Sequence, residues 1–237
     1  MNPLNTHSAP VKRADQRAVR TFNLSLVARH IAESGALSRA QLAQLTGLNK
    51  TTVSSLVAEL IERGVVSESG LASGRRVGRP AQILELDDSR IAALGLEINV
   101  DYLAVCVSDL RGAVRYRETV GHDNRGNPRD AVFEALAEIA RAAIEECDVL
   151  GLALVGAGVS VPGPVNSATG MLVNAPNLGW DRTPVETLMR AALGDPSFPI
   201  LVGNDANLAA LGELESGALR GVGTGCSSTA TSASAAP

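Results

Sequence analysis

Residues 38–66 read SRAQLAQLTGLNKTTVSSLVAELIERGVV, and this stretch determines the fold of the N-terminal part of the chain. Ser38 and Gln41 form the S-x-x-Q pattern of a capping box, whose side chains satisfy free backbone amides at a helix start. The short helix breaks at Gly47, and Asn49 is placed to cap the next helix. That second helix carries one apolar stripe at i, i+3, i+4, i+7 and i+8 spacing, made by Val53, Leu56, Val57, Leu60 and Ile61. The pattern predicts two helices joined by a tight turn.

The flanking residues complete a small domain. Apolar residues at helical spacing predict an earlier helix over residues 22–34. Val65 and Val66 begin a short strand, residues 81–86 offer a second, and the Gly-, Ser- and Arg-rich residues 67–80 form the loop between them. Three helices followed by a two-stranded wing give the order of a winged helix-turn-helix, which we assign to residues 21–86. The polar residues 1–20 predict a flexible arm.

The polar face of the second helix of this motif is a candidate DNA-reading surface. The first residues of such a helix meet base edges in the major groove, while basic groups and amides hold phosphates. A solvated polar face and a solubilising loop are the alternative interpretations. The candidates near the helix are Gln41, Asn49, Lys50, Thr51, Thr52, Ser54 and Ser55, and those in the wing loop, for a narrow minor groove, are Arg75, Arg76 and Arg79.

The rest of the chain differs in charge and in rhythm. Up to Leu86 there are 11 Lys or Arg against 6 Asp or Glu, whereas the remainder has 10 against 19. The apolar patterns predict one α/β lobe over residues 87–223, in the order βββαβαβα. Because residues 226–237 contain 10 Ser, Thr or Ala in 12 positions, we expect residues 224–237 to form a disordered tail. The predicted strands are 91–99, 102–109, 113–121, 150–161 and 198–202, and the helices are 131–147, 184–193 and 206–216.

Composition excludes several classes of function. The chain has only 3 Phe, 2 Tyr and 1 Trp, which are too few for the stacking platforms that bind single-stranded nucleic acid. Its 3 Cys and 3 His show no metal-ligand spacing, so we expect neither a metal site nor another cofactor. The absence of a signal-peptide core or a membrane-length apolar run predicts a soluble cytoplasmic protein.

Five motifs in order resemble the repressor branch of the ROK family (repressors, open reading frames and sugar kinases). The resemblance covers about residues 21–223 and is carried by the helix-turn-helix with GRRVGRPA, then GLEINV, GVSVPGPVN, NAPNLGW and GNDANLAALGE. It implies a winged helix-turn-helix followed by the first lobe of a ROK domain, which is ribonuclease H-like and related to actin-like ATPases. Full-length members are homo-oligomers.

The kinases of this family carry an Asp-x-Gly-Gly-Thr turn that holds ATP phosphate. In this chain the equivalent residues are Glu97-Ile98-Asn99-Val100-Asp101, which lack both glycines and the threonine. Asp101 would repel a phosphate, and the missing glycines oppose close backbone approach. The sequence therefore predicts a protein that is not an enzyme.

The sugar side of the resemblance is better preserved. Asn204 and Asp205 lie in the GNDAN motif, where the Asp of the kinases is the general base and the Asn contacts the sugar. Asn177, in NAPNLGW, is a further sugar contact by resemblance. A carboxylate with a carboxamide suits a polyol, because the pair both accepts and donates hydrogen bonds. A plain helix N-cap is the alternative role for Asp205.

These observations predict a transcriptional repressor of sugar-metabolism genes that binds a double-stranded DNA operator and a small sugar or sugar phosphate. A ROK-type sugar kinase and a non-functional fragment are the alternatives. The sugar-contact and cysteine-rich motifs that the family carries in its second lobe do not occur in this sequence. We therefore expect a chain truncated at its C-terminus, with sensing and oligomerisation weakened.

Overall fold

The computed structural model describes residues 9–71 and 82–215, and these residues divide into two compact units. The first unit contains the residues up to Ala92 together with Ser108–Ala113 and Cys147–Ala153. The second contains Ala93–Val107, Val114–Glu146 and the residues from Leu154 onward. The first unit thus extends past residue 86, and the domain boundaries given above stay predictions.

The first unit has the order of a winged helix. Its helices α2 and α3 contact each other and α1, and strands β1 and β2 form an antiparallel hairpin in which Val66 pairs with Leu86. Leu37 adds an isolated bridge to Leu84, with N–H to O distances of 3.2 and 2.8 Å between donor and acceptor atoms. The elements are α1 Ala9–Ser34, α2 Arg39–Thr46, α3 Lys50–Glu62, β1 Val66–Leu71 and β2 Gln82–Leu86.

The helix boundaries around the turn follow from side-chain caps. Ser38 and Gln41 form the predicted capping box at the start of α2. Gly47 ends α2 in the left-handed conformation, with φ of 70°, and Asn49 caps α3 by accepting from the amide of Thr52 at 2.8 Å. The caps predicted from residues 38–66 are therefore confirmed.

One core holds this unit together. The apolar stripe of α3 is confirmed, since Val53, Leu56, Val57 and Leu60 are buried. These residues pack with buried side chains from α1, α2 and the wing, which are Leu24, Val27, Ile31, Leu37, Leu42, Val66 and Leu84. Burying such aliphatic side chains stabilises the unit by about 1.5–3 kcal/mol for each one removed from water.

The prediction for the start of α1 is wrong. The helix begins at Ala9 rather than at residue 22, so residues 9–20 are helical and do not form a flexible arm. Pro10 is compatible with this helix, because the amides of a first turn have no intrahelical partner. No apolar stripe marks residues 9–20, and for this reason periodicity did not find them. Residues 1–8 and the predicted tail 224–237 lie outside the described residues.

The second unit is built on a five-stranded sheet with the order β10-β6-β3-β4-β5. The predicted order of its main elements is confirmed, and β10 pairs in parallel with β6, placing Asn204 opposite Val161. Strand β10 was predicted two residues too early, at 198–202 instead of 200–204. The start of α6 was predicted one residue too late, at 206 instead of 205. The observed bounds are β3 Ile91–Ile98, β4 Tyr102–Asp109, β5 Val114–Gly121, α4 Arg129–Leu150, β6 Ala153–Val161, β7 Val165–Asn166, β8 Met171–Ala175, β9 Trp180–Pro184, α5 Val185–Ala192, β10 Ile200–Asn204 and α6 Asp205–Glu215, with a 3-10 turn at Pro176–Leu178.

A second, three-stranded sheet of β7, β8 and β9 was not predicted. The turn that enters it depends on Gly163, which has a φ of 149°. A Cβ at this position would lie 2.2 Å from the carbonyl oxygen of Asn174 and 3.0 Å from Leu172. Only glycine fits this close approach.

No helix within residues 9–71 and 82–215 is both long enough and apolar enough to cross a lipid bilayer.

Candidate nucleic-acid interface and sugar site

The N-terminal half of α3 presents a polar surface. Because the stripe from Val53 to Leu60 faces the core, the other positions of the helix point outward. Lys50, Thr51, Ser54 and Ser55 are exposed and Thr52 is half-buried. The structure thus brings the five predicted α3 residues onto one end of one helix. Hydroxyls and an ammonium group there can bond base edges and phosphates.

Asn49 and Gln41 are exposed and already have structural roles. The amide oxygen of Asn49 accepts the cap bond from Thr52, and that of Gln41 accepts from the backbone N–H and hydroxyl of Ser38 at 2.9 and 2.7 Å. These bonds use only the oxygen of each carboxamide. The NH2 group of each side chain stays outside the cap and can donate to a partner.

The wing hairpin is anchored to the helices by charge as well as by the Leu37–Leu84 bridge. Arg39, the first residue of α2, pairs with Glu68 of β1 at 2.5 Å. The predicted wing-loop candidates Arg75, Arg76 and Arg79 lie outside the described residues.

The sequence did not predict an ion-pair cluster that lies beside α3. Arg20 of α1 donates from Nε to Glu59 at 2.8 Å, and its Nη2 lies 3.4 Å from the hydroxyl of Ser55. Arg63 pairs with the same carboxylate from the other side at 2.5 Å. The hydrogen bond from Arg20 lowers the pKa of Glu59, burial opposes this shift, and the charges of both arginines add to it. Arg20 and Glu59 are 39 residues apart, so no local pattern links them.

The turn between β3 and β4 stands where the resemblance puts a phosphate turn. Asn99 closes it with a backbone bond to Tyr102 at 3.0 Å, and the Asn99 side chain accepts from the amide of Val100 at 2.7 Å. The Tyr102 hydroxyl donates to Glu97 at 2.7 Å. This bond raises the pKa of Tyr102, with burial and the charges of Glu97 and Asp205 acting in the same direction.

The residues after β5 fasten this turn. Asn124 is fully buried and donates to the carbonyl oxygens of Asn99 at 2.7 Å and Tyr102 at 3.3 Å. Arg125 pairs with Asp101 at 2.6 Å, and this contact raises the pKa of the guanidinium above its usual value. The polar groups of the turn are thus bonded to the protein itself.

The GNDAN residues lie where β10 meets α6. The Asn204 side chain donates to the carbonyl oxygen of Gly163 at 3.0 Å and to Asp205 at 2.9 Å, and its oxygen accepts from the amide of Asn207 at 3.1 Å. Asn204 is therefore the residue that caps α6, while Asp205 occupies the first helical position. The carboxylate of Asp205 is half-buried and close enough to Tyr102 to influence its pKa.

Asn177 is exposed in the 3-10 turn between β8 and β9. The structure brings Asn204 and Asp205 into contact, and for Asn177 it gives only this surface position. Trp180, two residues after this turn, is buried and stacks on Phe133 with ring centroids 5.6 Å apart. This packing positions the β8–β9 hairpin on α4.

Within residues 9–71 and 82–215, no three His, Cys, Asp or Glu side chains are grouped closely enough to hold a metal ion. Cys106 is half-buried and Cys147 is buried.

The two units define a protein class in which a winged helix-turn-helix precedes a mixed α/β lobe with a five-stranded sheet. The ROK family model matches residues 93–225, and a MarR family model matches residues 24–76. This chain belongs to the ROK family.

Individual relatives agree with this assignment. The xylose repressor of Caldicellulosiruptor bescii is 28% identical over 195 residues, covering 82% of this chain and 48% of that protein. The xylose repressor of Bacillus subtilis is 28% identical over 210 residues, covering 87% of this chain and 52% of its own. The chain spans about half the length of these curated relatives.

A solved structure shows the same fold. It is described as a ROK family transcriptional regulator, a homologue of the E. coli MLC protein, and it superimposes with a TM-score of 0.67 at 21% identity. The match covers 83% of this chain and 48% of the other. The fold class predicted from the sequence is confirmed.

Proposed function

We propose that this chain is a DNA-binding transcriptional repressor that responds to a sugar. The observation that carries the proposal is the exposed polar end of α3, held by a capped turn and a wing in the same chain as a ROK lobe. The relatives named xylose repressor support both parts of the proposal.

In this function α3 enters the major groove of an operator. Lys50, Thr51 and Ser54 bond base edges or phosphates, joined by Thr52 and Ser55, and the amide NH2 groups of Asn49 and Gln41 reach the DNA backbone. Arg75, Arg76 and Arg79 extend the interface into the minor groove from the wing. The solvated-face alternative for α3 loses support because the exposed residues lie between a cap and a wing of the expected order.

The effector is a small sugar or sugar phosphate bound at the end of β10. Asp205 accepts hydrogen bonds from sugar hydroxyls, and Asn204 holds the Gly163 turn and the start of α6 in place around it. Asn177 supplies a further polar contact. A carboxylate beside a carboxamide matches the mixed donors and acceptors of a polyol.

The same geometry opposes the kinase alternative. The turn at Asn99, Val100 and Asp101 lacks glycine, and Asp101 presents negative charge that is paired with Arg125. The amide of Asn99 already donates to the carbonyl oxygen of Tyr102 and that of Val100 to the Asn99 side chain, so a phosphate could take neither without breaking a bond. We infer that the lobe binds its sugar without phosphorylating it.

A selection of genomic fragments by the purified chain, with and without a panel of sugars and sugar phosphates that includes xylose, tests the proposal. We expect a defined set of fragments to be retained and released by one of the sugars. Asp205→Asn, which keeps the size and most hydrogen bonds of the side chain, should retain the same fragments and lose the release.

Two controls accompany this selection. ATP consumption with the same panel should stay at background, because turnover would favour the kinase. Size-exclusion chromatography should give a defined species, because aggregation together with loss of fragment binding would favour the non-functional fragment.

A further inference from the structure

Arg20 lies on the flank of α3, although it comes from a different helix. Its guanidinium is hydrogen bonded to Glu59 and approaches Ser55, one turn earlier on α3. The side chain is 50% exposed, so part of it faces solvent beside the predicted reading surface. The groove at this place is lined by Arg20, Ser55, Ala58, Glu59, Glu62 and Arg63.

The dimensions of DNA bring this flank close to phosphate. An α-helix with its side chains is about 10–12 Å across, and the major groove is about 12 Å wide. A helix seated in the groove therefore approaches a phosphate backbone on each side. Residues that project from the flanks of α3 meet these backbones, and Arg20, whose guanidinium lies beside Ser55, is placed on the flank that faces α1.

The contact with Glu59 leaves Arg20 able to bind a further anion. Glu59 takes donors from Nε and Nη2, and a guanidinium carries five N–H donors in all. The charges of Arg20 and Arg63 balance those of Glu59 and Glu62 around this groove. Of these four groups, Arg20 is the one that reaches Ser55, so the positive charge of its guanidinium lies nearest the reading half of the helix.

We propose that Arg20 is a DNA-phosphate-contacting residue that α1 contributes to the flank of α3, where its guanidinium is shared between Glu59 and the DNA. The inference rests on the proposed function. It extends the interface beyond the helix-turn-helix and the wing, and it predicts contact with DNA backbone of any sequence.

The test measures the affinity of the full chain for a fluorescent duplex of random sequence over a range of NaCl concentrations. Arg20→Gln should weaken binding and reduce the slope of log affinity against log salt by about 1, the value for one lost phosphate contact. Arg29→Gln, which removes the same charge from an exposed site in the C-terminal half of α1, should leave the slope unchanged.

The variant Glu59→Gln distinguishes a DNA contact made by Arg20 from an ion pair that only holds α1 against α3. If the pair only braces α1 against α3, Arg20→Gln and Glu59→Gln break the same contact and weaken binding equally. If Arg20 binds phosphate, Glu59→Gln removes an acidic group and leaves both arginines in place, so the affinity is equal to or above that of the natural chain.

Each outcome is informative. An unchanged slope for Arg20→Gln, or an equal loss for both variants, overturns the inference and leaves the proposed function standing. If the natural chain shows no salt-dependent duplex binding, the inference and the proposed function both fail. Thermal melts of each variant identify any loss of binding that is due to unfolding.

Discussion

The N-terminal half of α3 and the turn between β3 and β4 are both short polar segments, and they use their side chains differently. On α3, Lys50, Thr51 and Ser54 point outward from a buried stripe, while the cap residue Asn49 is bonded to Thr52 and Ser55 accepts from Arg20. In the turn, Asn99 and Asp101 are bonded within the lobe, by Val100 and Arg125.

The difference separates polar groups that face solvent from polar groups that are bonded to neighbouring residues. Exposed hydroxyl and ammonium groups keep water as their partner, and a ligand can replace that water. Groups already bonded within the lobe cannot bind a ligand without first breaking those bonds, which costs free energy. Under the proposed function, the end of α3 is the part that binds DNA, and the turn at Asn99 is a part of the ROK lobe that binds no phosphate.

The largest expected effect is on stability, and it comes from the core of the lobe that contains the turn between β3 and β4. Phe133→Ala removes the ring that stacks on Trp180 and should lower the free energy of unfolding by about 3–5 kcal/mol. Trp180 is the only tryptophan, so its fluorescence emission should shift to the red as water reaches it. Phe22→Ala, at a ring that is 66% exposed, is the control and should change stability by less than about 0.5 kcal/mol.

Removing the side chain that fastens the turn between β3 and β4 should lower the free energy of unfolding by a smaller amount. Asn124→Ala removes the side-chain donor to the carbonyl oxygen of Asn99 and one of the two donors to that of Tyr102, and we expect the free energy of unfolding in urea to fall by about 1–3 kcal/mol. Asn127→Ala, three residues away on an exposed side chain, should be close to neutral. Equal effects of the two variants would mean that the turn is not held by Asn124.

Asn49 and Asn204, which cap α3 and α6, can be compared by making the same substitutions at both positions. Asn49→Ala and Asn204→Ala should each lower stability by about 0.5–2 kcal/mol. Asn49→Asp should restore stability, since Asp also caps, while lowering duplex affinity through its negative charge. Asn204→Asp should restore little, because the amide donor to Gly163 is lost and a second carboxylate stands beside Asp205. Recovery at both sites would show that Asn204 acts only as a cap.

The smallest effect concerns acid stability. Because the pKa of Glu59 is lowered in the folded chain, its contribution is present above the ordinary value of 4.5 and is lost as the pH falls through the lower folded value. Glu59→Gln should therefore flatten the fall of the melting temperature below about pH 4.5. Arg20→Gln should flatten the same region, and the double variant should add little. Additive effects would indicate separate partners.

The sequence predicted those parts of the fold that short-range signals determine. The capping box at Ser38, the cap at Asn49 and the buried stripe of α3 each depend on residues within a few positions, and the structure has all of them. The main strands of the lobe were also predicted, because apolar residues recur along β3, β4 and β6 and a tight turn precedes the exposed strand β5.

The missed features depend on distant residues. Strands β7, β8 and β9 have 2 to 5 residues each, which is too short for an alternating pattern to identify them, and the turn that leads into them depends on Gly163. Arg20 meets Glu59 across two helices, and Asn124 reaches Asn99 from 25 residues away. The sequence left a helix N-cap as the alternative role of Asp205, whereas the residue that caps α6 is the neighbouring Asn204.

Gly163 has a consequence for how this chain tolerates variation. The atom that excludes a side chain there is a backbone carbonyl oxygen, which cannot rotate aside as a side chain would. In a library that replaces every residue, position 163 should return only glycine even when the sole selection is for soluble expression. Asp205, which is half-buried, should accept many residues under that selection and few when the library is selected for response to a ligand.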